Sequence, residues 1–469
     1  MLGPRHAARA GSGKRPNILF LLTDNQRYDA LGYLNKAVRT SNIDRLAGRG
    51  VHFANTFVTT SICCTSRASI FTGMYGRRHG VWEFDTSLSQ TLLQNTYPAL
   101  LRKAGYRTGF FGKYGVGTLS NTKTDDRLFR EDDLATQDKA GFDVIEDTGF
   151  AYYAPGDARR EHHNNKILAD KAERFIDSVA KDQPFCLSIS FHAPHASESS
   201  DEDGYYAEPD MLAQYDQEPL APGPLVTEAA YKSLPPFLQT SEGRHRQQRY
   251  YPDRQSWIQS VRNYYGLISG IDRSIGRMLV ALEKKGVADN TVIIFTSDNG
   301  EVLGDYGLEG YWYGYEGSIR IPLLICPVER PKVQAVEAPV LNIDLAPTML
   351  ALAGVPIAPV MQGRDVSPLW RGEPLARAWR TDFLYEHYLS GLHPSEKVKE
   401  DTEHFIPSSE GVRTERYTYL RYPWQKSENE QLFDRVADPN ELKNIIHTAP
   451  ADLVAQLRRR TDELIAQNA

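Results

Sequence analysis

Apolar segments of strand length alternate in this chain with segments of helical periodicity, which restricts the folds open to it. The first of them, Asn17 to Thr23, is a nearly continuous apolar run and predicts a strand buried on both faces. Further strands are predicted at Arg107 to Lys113, Phe185 to Phe191 and Thr291 to Ser297. This pattern predicts an α/β fold with a large, mostly parallel central sheet.

Helical segments lead into three of these strands. Pro98 to Ala104 has its proline at the start, where a helix tolerates it, and His163 to Val179 precedes the next strand. The longest helix is predicted from Ser256 to Lys285, because apolar side chains recur there along one side. The order of helices and strands indicates a doubly wound unit with helices on the sheet faces.

The chain is expected to divide into a flexible N-terminal segment, a large α/β domain and a small C-terminal subdomain, with boundaries at residues 1–15, 16–372 and 373–469. The first segment is rich in Arg, Ala and Gly, and it shows no apolar core of a secretory signal. Short strands and a terminal helix predict an α+β C-terminal subdomain with an antiparallel sheet. Within the large domain, regular pattern is lost over residues 198–253, which indicates a substrate-side loop.

The composition excludes several classes of protein. The formal net charge is −6 and no block of Lys and Arg stands out, which argues against a nucleic-acid-binding protein. No apolar run reaches the ~18 residues of a membrane-spanning helix. The four cysteines have neither the spacing of a metal site nor that of a disulfide framework. We therefore expect an ordinary globular protein in which any anionic substrate is met by local cations.

Two pairs of acidic and amide residues follow two of the predicted strands, Asp24 with Asn25 and Asp298 with Asn299. The carboxyl ends of parallel strands lie at one edge of a sheet, so these side chains are expected to converge. Their oxygens suit a hard cation, and Ca²⁺ is favoured over Mg²⁺ because it accepts mixed ligands in a flexible geometry. Either pair alone also fits a helix cap or a turn.

The segment from Ser61 to Gly73 reads S-I-C-C-T-S-R-A-S-I-F-T-G. It resembles the signature of the type I sulfatases of the alkaline-phosphatase-like superfamily, in which C-x-P-S-R is followed by L-T-G. The resemblance implies that a formylglycine-generating maturation enzyme oxidises Cys63 and that the hydrated formylglycine is the nucleophile. It also implies that Arg67 binds sulfate oxygens. The family usually has proline at the position of Thr65.

Two further segments resemble sulfatase motifs. Residues 112–115 read G-K-Y-G and are similar to the family's G-K-W-H-L-G, which implies that Lys113 neutralises the sulfate and that Gly115 replaces a histidine. The sequence F-H-A-P-H ends at His195 and is similar to the family's A-P-H, which implies His195 as the general acid. His192 is close in sequence, so which of the two histidines acts stays open.

Residues 304–322 resemble the family's G-x-H-G-L-x-x-K and Y-E-x-S-x-R-V-P, with Tyr311 in place of a sulfate-binding lysine. A phenol can donate a hydrogen bond to a sulfate but adds no positive charge. Together with His387 and Arg413 of the C-terminal subdomain, Tyr311 is predicted to bind the substrate. For the metal, the family typically has Asp-Asp as its first pair, so Asn25 is a departure.

The resemblance implies an alkaline-phosphatase-like sandwich that hydrolyses a sulfate ester, in a periplasmic or secreted protein. The long segment 198–253, its basic run 244–249 and the aromatic residues around Tyr311 favour a sulfated carbohydrate as the substrate. A phosphate or phosphonate ester hydrolase is an alternative, because such a scaffold fixes a tetrahedral oxyanion whatever its central atom. A non-catalytic protein that binds sulfated glycans is the other, and Gly115 and Tyr311 favour it.

Overall fold

The structure of the protein is a computed structural model that describes residues 14–83, 86–116, 141–148, 152–153, 162–198, 203–375, 377–388 and 405–469. Of the N-terminal segment 1–15, only residues 14 and 15 fall in these ranges. The prediction that this segment is flexible therefore lies almost wholly outside the described residues.

The strands in chain order are β1 (Asn17–Asp24), β2 (Val51–Phe53), β3 (Thr56–Phe57), β4 (Arg107–Gly112), β5 (Val144–Glu146), β6 (Phe185–Pro194), β7 (Ser197–Glu198), β8 (Asp203–Gly204), β9 (Thr291–Ser297), β10 (Leu323–Cys326), β11 (Ala335–Val336), β12 (Val340–Leu341), β13 (Asp382–His387), β14 (Ser409–Thr414), β15 (Tyr417–Arg421) and β16 (Gln431–Asp434). The α-helices are α1 (Ser41–Ala47), α2 (Cys63–Thr72), α3 (Gly76–His79), α4 (Gln90–Leu93), α5 (Tyr97–Lys103), α6 (Asn164–Ser178), α7 (Pro209–Leu212), α8 (Glu228–Lys232), α9 (Glu242–Tyr250), α10 (Arg254–Lys285), α11 (Glu316–Ile319), α12 (Leu345–Leu352), α13 (Ser367–Arg371) and α14 (Ala451–Asn468).

The central sheet has eight strands in the order β11-β2-β10-β9-β1-β6-β4-β5. β1 is parallel to both of its neighbours, β6 and β9, and β4 is parallel to β5 and β6. Only β10 runs against its neighbours, β9 and β2, in the part of this sheet that the structure describes. The predicted α/β fold with a mostly parallel sheet is confirmed.

Both faces of the sheet are covered by apolar clusters. Successive side chains of β1 point to opposite sides, so this strand contributes to both clusters. Leu19 packs in one apolar cluster with Ile271 of α10. Phe20 packs in the other cluster with Phe71 of α2. All eight residues of β1 are buried, which is why this strand reads as a continuous apolar run rather than an alternating one.

The long helix α10 begins and ends where local chemistry requires. The Asp253 side chain accepts a hydrogen bond from the Ser256 backbone N–H at 2.8 Å and caps the first turn. Gly286 follows the last turn with a φ of 70°, a left-handed conformation that glycine adopts without a steric penalty. The helix leads into β9 and so sets the position of the residues that follow this strand.

The C-terminal subdomain is built on a four-stranded antiparallel sheet in the order β13-β14-β15-β16. The terminal helix α14 buries Val454, Leu457 and Leu464. The predicted antiparallel sheet is confirmed, although the sequence analysis did not identify β16. The boundary between residues 372 and 373 stays a prediction.

The segment 198–253 is more regular than predicted, since it contains the helices α7, α8 and α9. These helices have at most nine residues and are too short to show a clear periodic apolar stripe in the sequence, and the substrate-side position of the segment stays a prediction. Its basic run 244–249 lies within α9. Over the described ranges, no helix combines the length and apolarity that crossing a membrane requires.

Candidate active site

The carboxyl ends of four strands of the central sheet bring polar residues to one edge. Asp24 is the last residue of β1, Lys113 follows β4, His195 follows β6 and Asp298 follows β9. All four side chains are buried. Ligands of open parallel sheets bind at this edge, so the strand topology itself defines the candidate site.

Cys63 is the first residue of α2, and its side chain is fully buried. The Cys63 Sγ donates a hydrogen bond to Asp24 Oδ1 at 3.3 Å. Atoms of Asp24, Cys63 and His195 that could bind a ligand lie within 4.8 Å of one another. Burial, and then the negative charge of Asp24, raise the pKa of the Cys63 thiol well above its ordinary value. The unmodified thiol is therefore protonated near neutral pH and is a weak nucleophile.

Arg67 lies one turn further along α2, and every part of its guanidinium has a defined position. Its Nε donates to Asp298 Oδ2 at 2.7 Å, and its Nη2 lies 3.5 Å from Asp24 Oδ2. Its Nη1 donates to Ser190 Oγ at 2.6 Å and to the Lys113 carbonyl oxygen at 2.5 Å. Contacts from residues in or directly after four strands, β1, β4, β6 and β9, hold the cation in place without a substrate.

Asp24 lies at the centre of the site, with basic side chains around its carboxylate. Lys113 Nζ forms a short ion pair with Asp24 Oδ2, and His192 Nδ1 lies 3.7 Å from the same oxygen. Burial alone would raise the pKa of Asp24, but the charges of Lys113, then His195, and also Arg67 hold it well below its usual range. Asp24 is therefore ionised at neutral pH.

The four residues predicted to bind a metal converge at the ends of β1 and β9. Asn299 Nδ2 donates to Asn25 Oδ1 at 2.6 Å, and the Asn25 N–H donates to Asp298 Oδ1 at 3.2 Å. Asn299 Oδ1 is buried without a hydrogen-bond partner among the described residues. Burial, and then the charge of Asp24, raise the pKa of Asp298 to about 6. An orphaned amide oxygen beside two buried carboxylates, Asp24 and Asp298, fits a hard cation.

The two histidines of F-H-A-P-H lie side by side, with ring centroids 5.2 Å apart. His195 Nδ1 donates to the Ala196 carbonyl oxygen at 2.5 Å, and the Tyr152 hydroxyl donates to the His195 carbonyl oxygen. Burial lowers the pKa of His192 to about 4, so this ring is neutral at pH 7. His195 is the histidine grouped with Cys63 and Asp24, whereas the His192 ring packs against Tyr152, 5.1 Å between centroids.

Gly115 occupies the position where the sulfatase motif has histidine. Its φ is 62°, and a Cβ atom added there would lie 2.8 Å from Arg67 Cδ. A histidine therefore does not fit unless Arg67 moves. The absence of a histidine at position 115 and the position of Arg67 are therefore linked, because the Arg67 side chain takes the space that a histidine Cβ would need.

Tyr311 lies beside the general-acid candidate. Its ring centroid is 5.7 Å from that of His195 and 4.9 Å from that of Trp312, and only 5% of Tyr311 is exposed. The guanidinium of Arg246 lies over the Trp312 ring, 4.6 Å from its centroid. Because Arg246 belongs to α9, the segment 198–253 reaches the aromatic residues next to the site.

The two C-terminal residues predicted to bind the substrate have contacts of another kind. Arg413 Nε and Nη2 donate to Glu316 Oε1 at 3.0 and 2.9 Å, and Nη1 donates to the Thr414 carbonyl oxygen. Each of its three guanidinium nitrogens therefore has a protein partner, and the contacts with Glu316 join β14 to α11. His387 is fully buried in β13, and burial lowers its pKa to about 4. No described contact joins His387 to Cys63 or Tyr311.

Two residues of the site were not predicted from the sequence. Ser190 Oγ donates to the Lys113 carbonyl oxygen at 2.7 Å and accepts from Arg67, and Glu301 Oε2 accepts from Asn25 Nδ2 at 3.1 Å. Glu301 stands two residues after the second metal pair, so its place in the sequence was a usable signal. Ser190 lies inside the buried strand β6 and belongs to no motif.

Two protein families match this chain. The family described as Sulfatase matches residues 16–355, and the family described as N-sulphoglucosamine sulphohydrolase, C-terminal, matches residues 304–467. An N-acetylglucosamine-6-O-sulfatase of Bacteroides thetaiotaomicron is 27% identical over 93% of this chain and 83% of its own. An ulvan-active sulfatase of Formosa agariphila is 26% identical over 96% and 82%.

Solved structures share the fold along nearly the whole chain. One, a complex with its substrate D-glucosamine-2-N,6-O-disulfate, has a TM-score of 0.76 at 24% identity and covers 97% of this chain and 98% of its own. A phosphonate monoester hydrolase of Silicibacter pomeroyi has a TM-score of 0.75 at 24% identity and covers 96% and 95%. The chain therefore belongs to the sulfatase family, sulfuric ester hydrolases that generally use a metal ion and formylglycine.

Proposed function

We propose that this chain hydrolyses a sulfate ester carried by a carbohydrate. The observation that carries the proposal is the convergence of Cys63, Arg67, Lys113 and His195 around Asp24 at one edge of the sheet. The carbohydrate is supported by relatives named for N-acetylglucosamine-6-O-sulfate and for ulvan. By the same family resemblance, we place the protein in the periplasm or outside the cell.

Arg67 and Lys113 are proposed to stabilise negative charge on the sulfate as it is transferred. Both cations are held by protein contacts, so they need no reorganisation when the substrate binds. His195 is proposed to give a proton to the departing alcohol oxygen, a role that suits histidine near neutral pH. Ser190 holds Arg67 and the Lys113 carbonyl oxygen in register.

The nucleophile and the metal complete the proposed site. Formylglycine, made from Cys63 by a formylglycine-generating maturation enzyme, and a calcium ion would supply a nucleophilic hydroxyl and a Lewis acid. Asp24, Asn25, Asp298 and Asn299 would hold the cation, with Mg²⁺ as the second choice. The buried, unpartnered Asn299 Oδ1 supports this assignment.

Of the three predicted substrate contacts, we retain Tyr311. Its position beside His195 allows its hydroxyl to donate to the substrate, and its ring is part of an aromatic group with Trp312. Arg413 is not retained because its guanidinium lies against Glu316 and the Phe57 ring, and no described contact joins it to Cys63 or His195. His387 is not retained because no described contact joins its ring, in β13, to Cys63 or Tyr311.

The proposal is tested with protein produced together with a maturation enzyme, after peptide mapping has confirmed formylglycine at position 63. Turnover is then compared on sulfated mono- and oligosaccharides, nitrophenyl sulfate and a nitrophenyl phosphonate ester. We expect the sugar sulfates to have the highest kcat/KM. A preference for the phosphonate ester would favour the alternative hydrolase, whose solved relatives share the fold. Binding of sulfated glycans by converted protein without turnover would favour the non-catalytic alternative.

A further inference from the structure

Glu301 is a buried carboxylate whose two oxygens have separate tasks. Glu301 Oε1 accepts hydrogen bonds from the backbone N–H groups of Val302 and Gly310 at 2.9 and 2.7 Å. Glu301 Oε2 accepts from Asn25 Nδ2 at 3.1 Å. Its side chain thus clamps a loop with one oxygen and contacts a proposed metal ligand with the other.

The contact with Glu301 determines which end of the Asn25 amide faces the site. The oxygen and nitrogen of an amide have nearly the same shape, so hydrogen-bond partners decide its orientation. Asn25 Nδ2 faces the accepting Glu301 Oε2, while Asn25 Oδ1 accepts from Asn299 Nδ2 at 2.6 Å. Asn25 Oδ1 also lies 3.9 Å from Cys63 Sγ. Partners on both sides therefore select a single orientation, with the carbonyl oxygen toward the site.

We propose that Glu301 is a positioning residue that keeps the Asn25 amide oxygen directed at the cation site, so that Asn25 and Glu301 form a matched pair. This inference rests on the cation site of the proposed function. An aspartate at position 25, as in the sulfatase motif, would place an accepting oxygen against Glu301 Oε2 in a buried environment. The hydrogen bond from Asn25 Nδ2 to Glu301 Oε2 accounts for an amide at position 25, where the sulfatase motif has a carboxylate.

The pair can be reversed by exchanging the donor and the acceptor. In Glu301→Gln, the amide oxygen takes over the two backbone N–H groups, and its nitrogen then faces Asn25 Nδ2, donor against donor. In Asn25→Asp, two accepting oxygens face each other. In the double variant, the Gln nitrogen donates to the Asp carboxylate, and the other Asp oxygen still accepts from Asn299 Nδ2.

The experiment compares the parent, both single variants and the double variant as unmodified, metal-stripped proteins. Calcium binding is measured by calorimetry, and thermal unfolding is followed in excess chelator. We expect Glu301→Gln to weaken calcium binding by about 10–100-fold, as is typical when a residue that orients a metal ligand is lost. Both single variants should unfold at lower temperature, and the double variant should lose less than the sum of the two single shifts.

Glu309→Gln is the matched control, because Glu309 is equally buried and its Oε1 accepts a hydrogen bond from the Tyr205 hydroxyl at 3.3 Å. It should bind calcium as the parent does. The proposal is overturned if Glu301→Gln binds calcium and unfolds like the parent, since a glutamine retains the loop contacts. Additive shifts in the double variant overturn it as well. If the parent binds no calcium, the cation is removed from the proposed function. The thermal unfolding of the four proteins then still decides whether Asn25 and Glu301 form a matched pair.

Discussion

Arg67 Nε lies 2.7 Å from Asp298 Oδ2, and this contact ties the helix that carries Cys63 to the end of β9. Both side chains are fully buried. A planar guanidinium can hold Asp298 and Ser190 at once, whereas a lysine offers a single point of charge. The contact therefore sets the distance between the nucleophile position and the proposed metal ligands.

Arg67→Lys is expected to lower kcat by about a hundredfold or more, because a charge is kept but its fixed position is lost. The measurement is the turnover of a sugar sulfate by protein whose residue 63 has been shown to be converted. Arg45→Lys, at a surface position on α1, is the control and should have the parent's rate. A kcat within a few-fold of the parent for Arg67→Lys would contradict the role assigned to it.

Cys63→Ala is expected to abolish turnover and to leave the fold intact, because the thiol makes only weak contacts with Asp24 and Asn25. Cys64→Ala is the matched control, since Cys64 is equally buried next to it and has no described contact with Asp24. Circular dichroism and kcat on a sugar sulfate are the measurements. Retained activity in purified Cys63→Ala protein would end the sulfatase mechanism proposed for this residue.

Gly115→Ala is expected to lower kcat through Arg67, since the added methyl would lie 2.8 Å from Arg67 Cδ. Gly80→Ala provides the control, because Gly80 also has a positive φ, 75°, but an added Cβ would meet nothing within 4 Å. Both variants should lose about 1–2 kcal/mol of stability from backbone strain. Only Gly115→Ala should also lose turnover. Equal kcat values for the two variants would show that the added methyl at position 115 does not affect turnover through Arg67.

Tyr311→Phe is expected to lower kcat/KM for a sugar sulfate several-fold, corresponding to about 1 kcal/mol for one hydrogen bond. Tyr311→Ala should cost more, because it also removes the ring packed between His195 and Trp312. Steady-state kinetics on a sugar sulfate and on an aryl sulfate are the measurements. A preference for the aryl sulfate, with Tyr311→Ala indifferent, would argue against a carbohydrate substrate.

Glu441 provides a prediction on pH and stability. Burial, and then the charge of Glu316, raise the pKa of Glu441 to about 8 in the folded protein. A raised pKa contributes stability that is present at low pH and is lost as pH rises through the folded value. The Glu441→Gln variant has no carboxyl to ionise at this position. The free energy of unfolding of the variant, minus that of the parent, should therefore rise from pH 6 to pH 9. Urea unfolding at both values, with the exposed Glu463→Gln as control, measures the difference. A pH-independent difference would contradict the assignment.

The sequence predicted the parts of the fold that follow from continuous patterns. The strands β1 and β9 were identified because a strand buried on both faces must be apolar at every position. The helix α9 was missed because its sequence, E-G-R-H-R-Q-Q-R-Y, has no apolar stripe. Its position is determined by tertiary contacts such as that of Arg246 with Trp312.

The candidate site was predictable where a motif fixes both chemistry and spacing, as for Cys63 and Arg67 on α2. It was not predictable where the partner is remote in sequence. Arg413 was predicted to bind the substrate, and the sequence did not indicate its contact with Glu316, which lies 97 residues away. The contact of Glu301 with Asn25 spans 276 residues and depends on strand order rather than on any local pattern.

The complete burial of Cys63 sets an order of events in the biogenesis of this protein. All ten residues of α2 are buried, so the folded chain cannot present position 63 as an extended peptide to a maturation enzyme. The oxidation proposed for this cysteine would therefore have to come before the helix docks on the sheet. On that proposal, the time that the chain spends unfolded after synthesis would limit how many molecules become active.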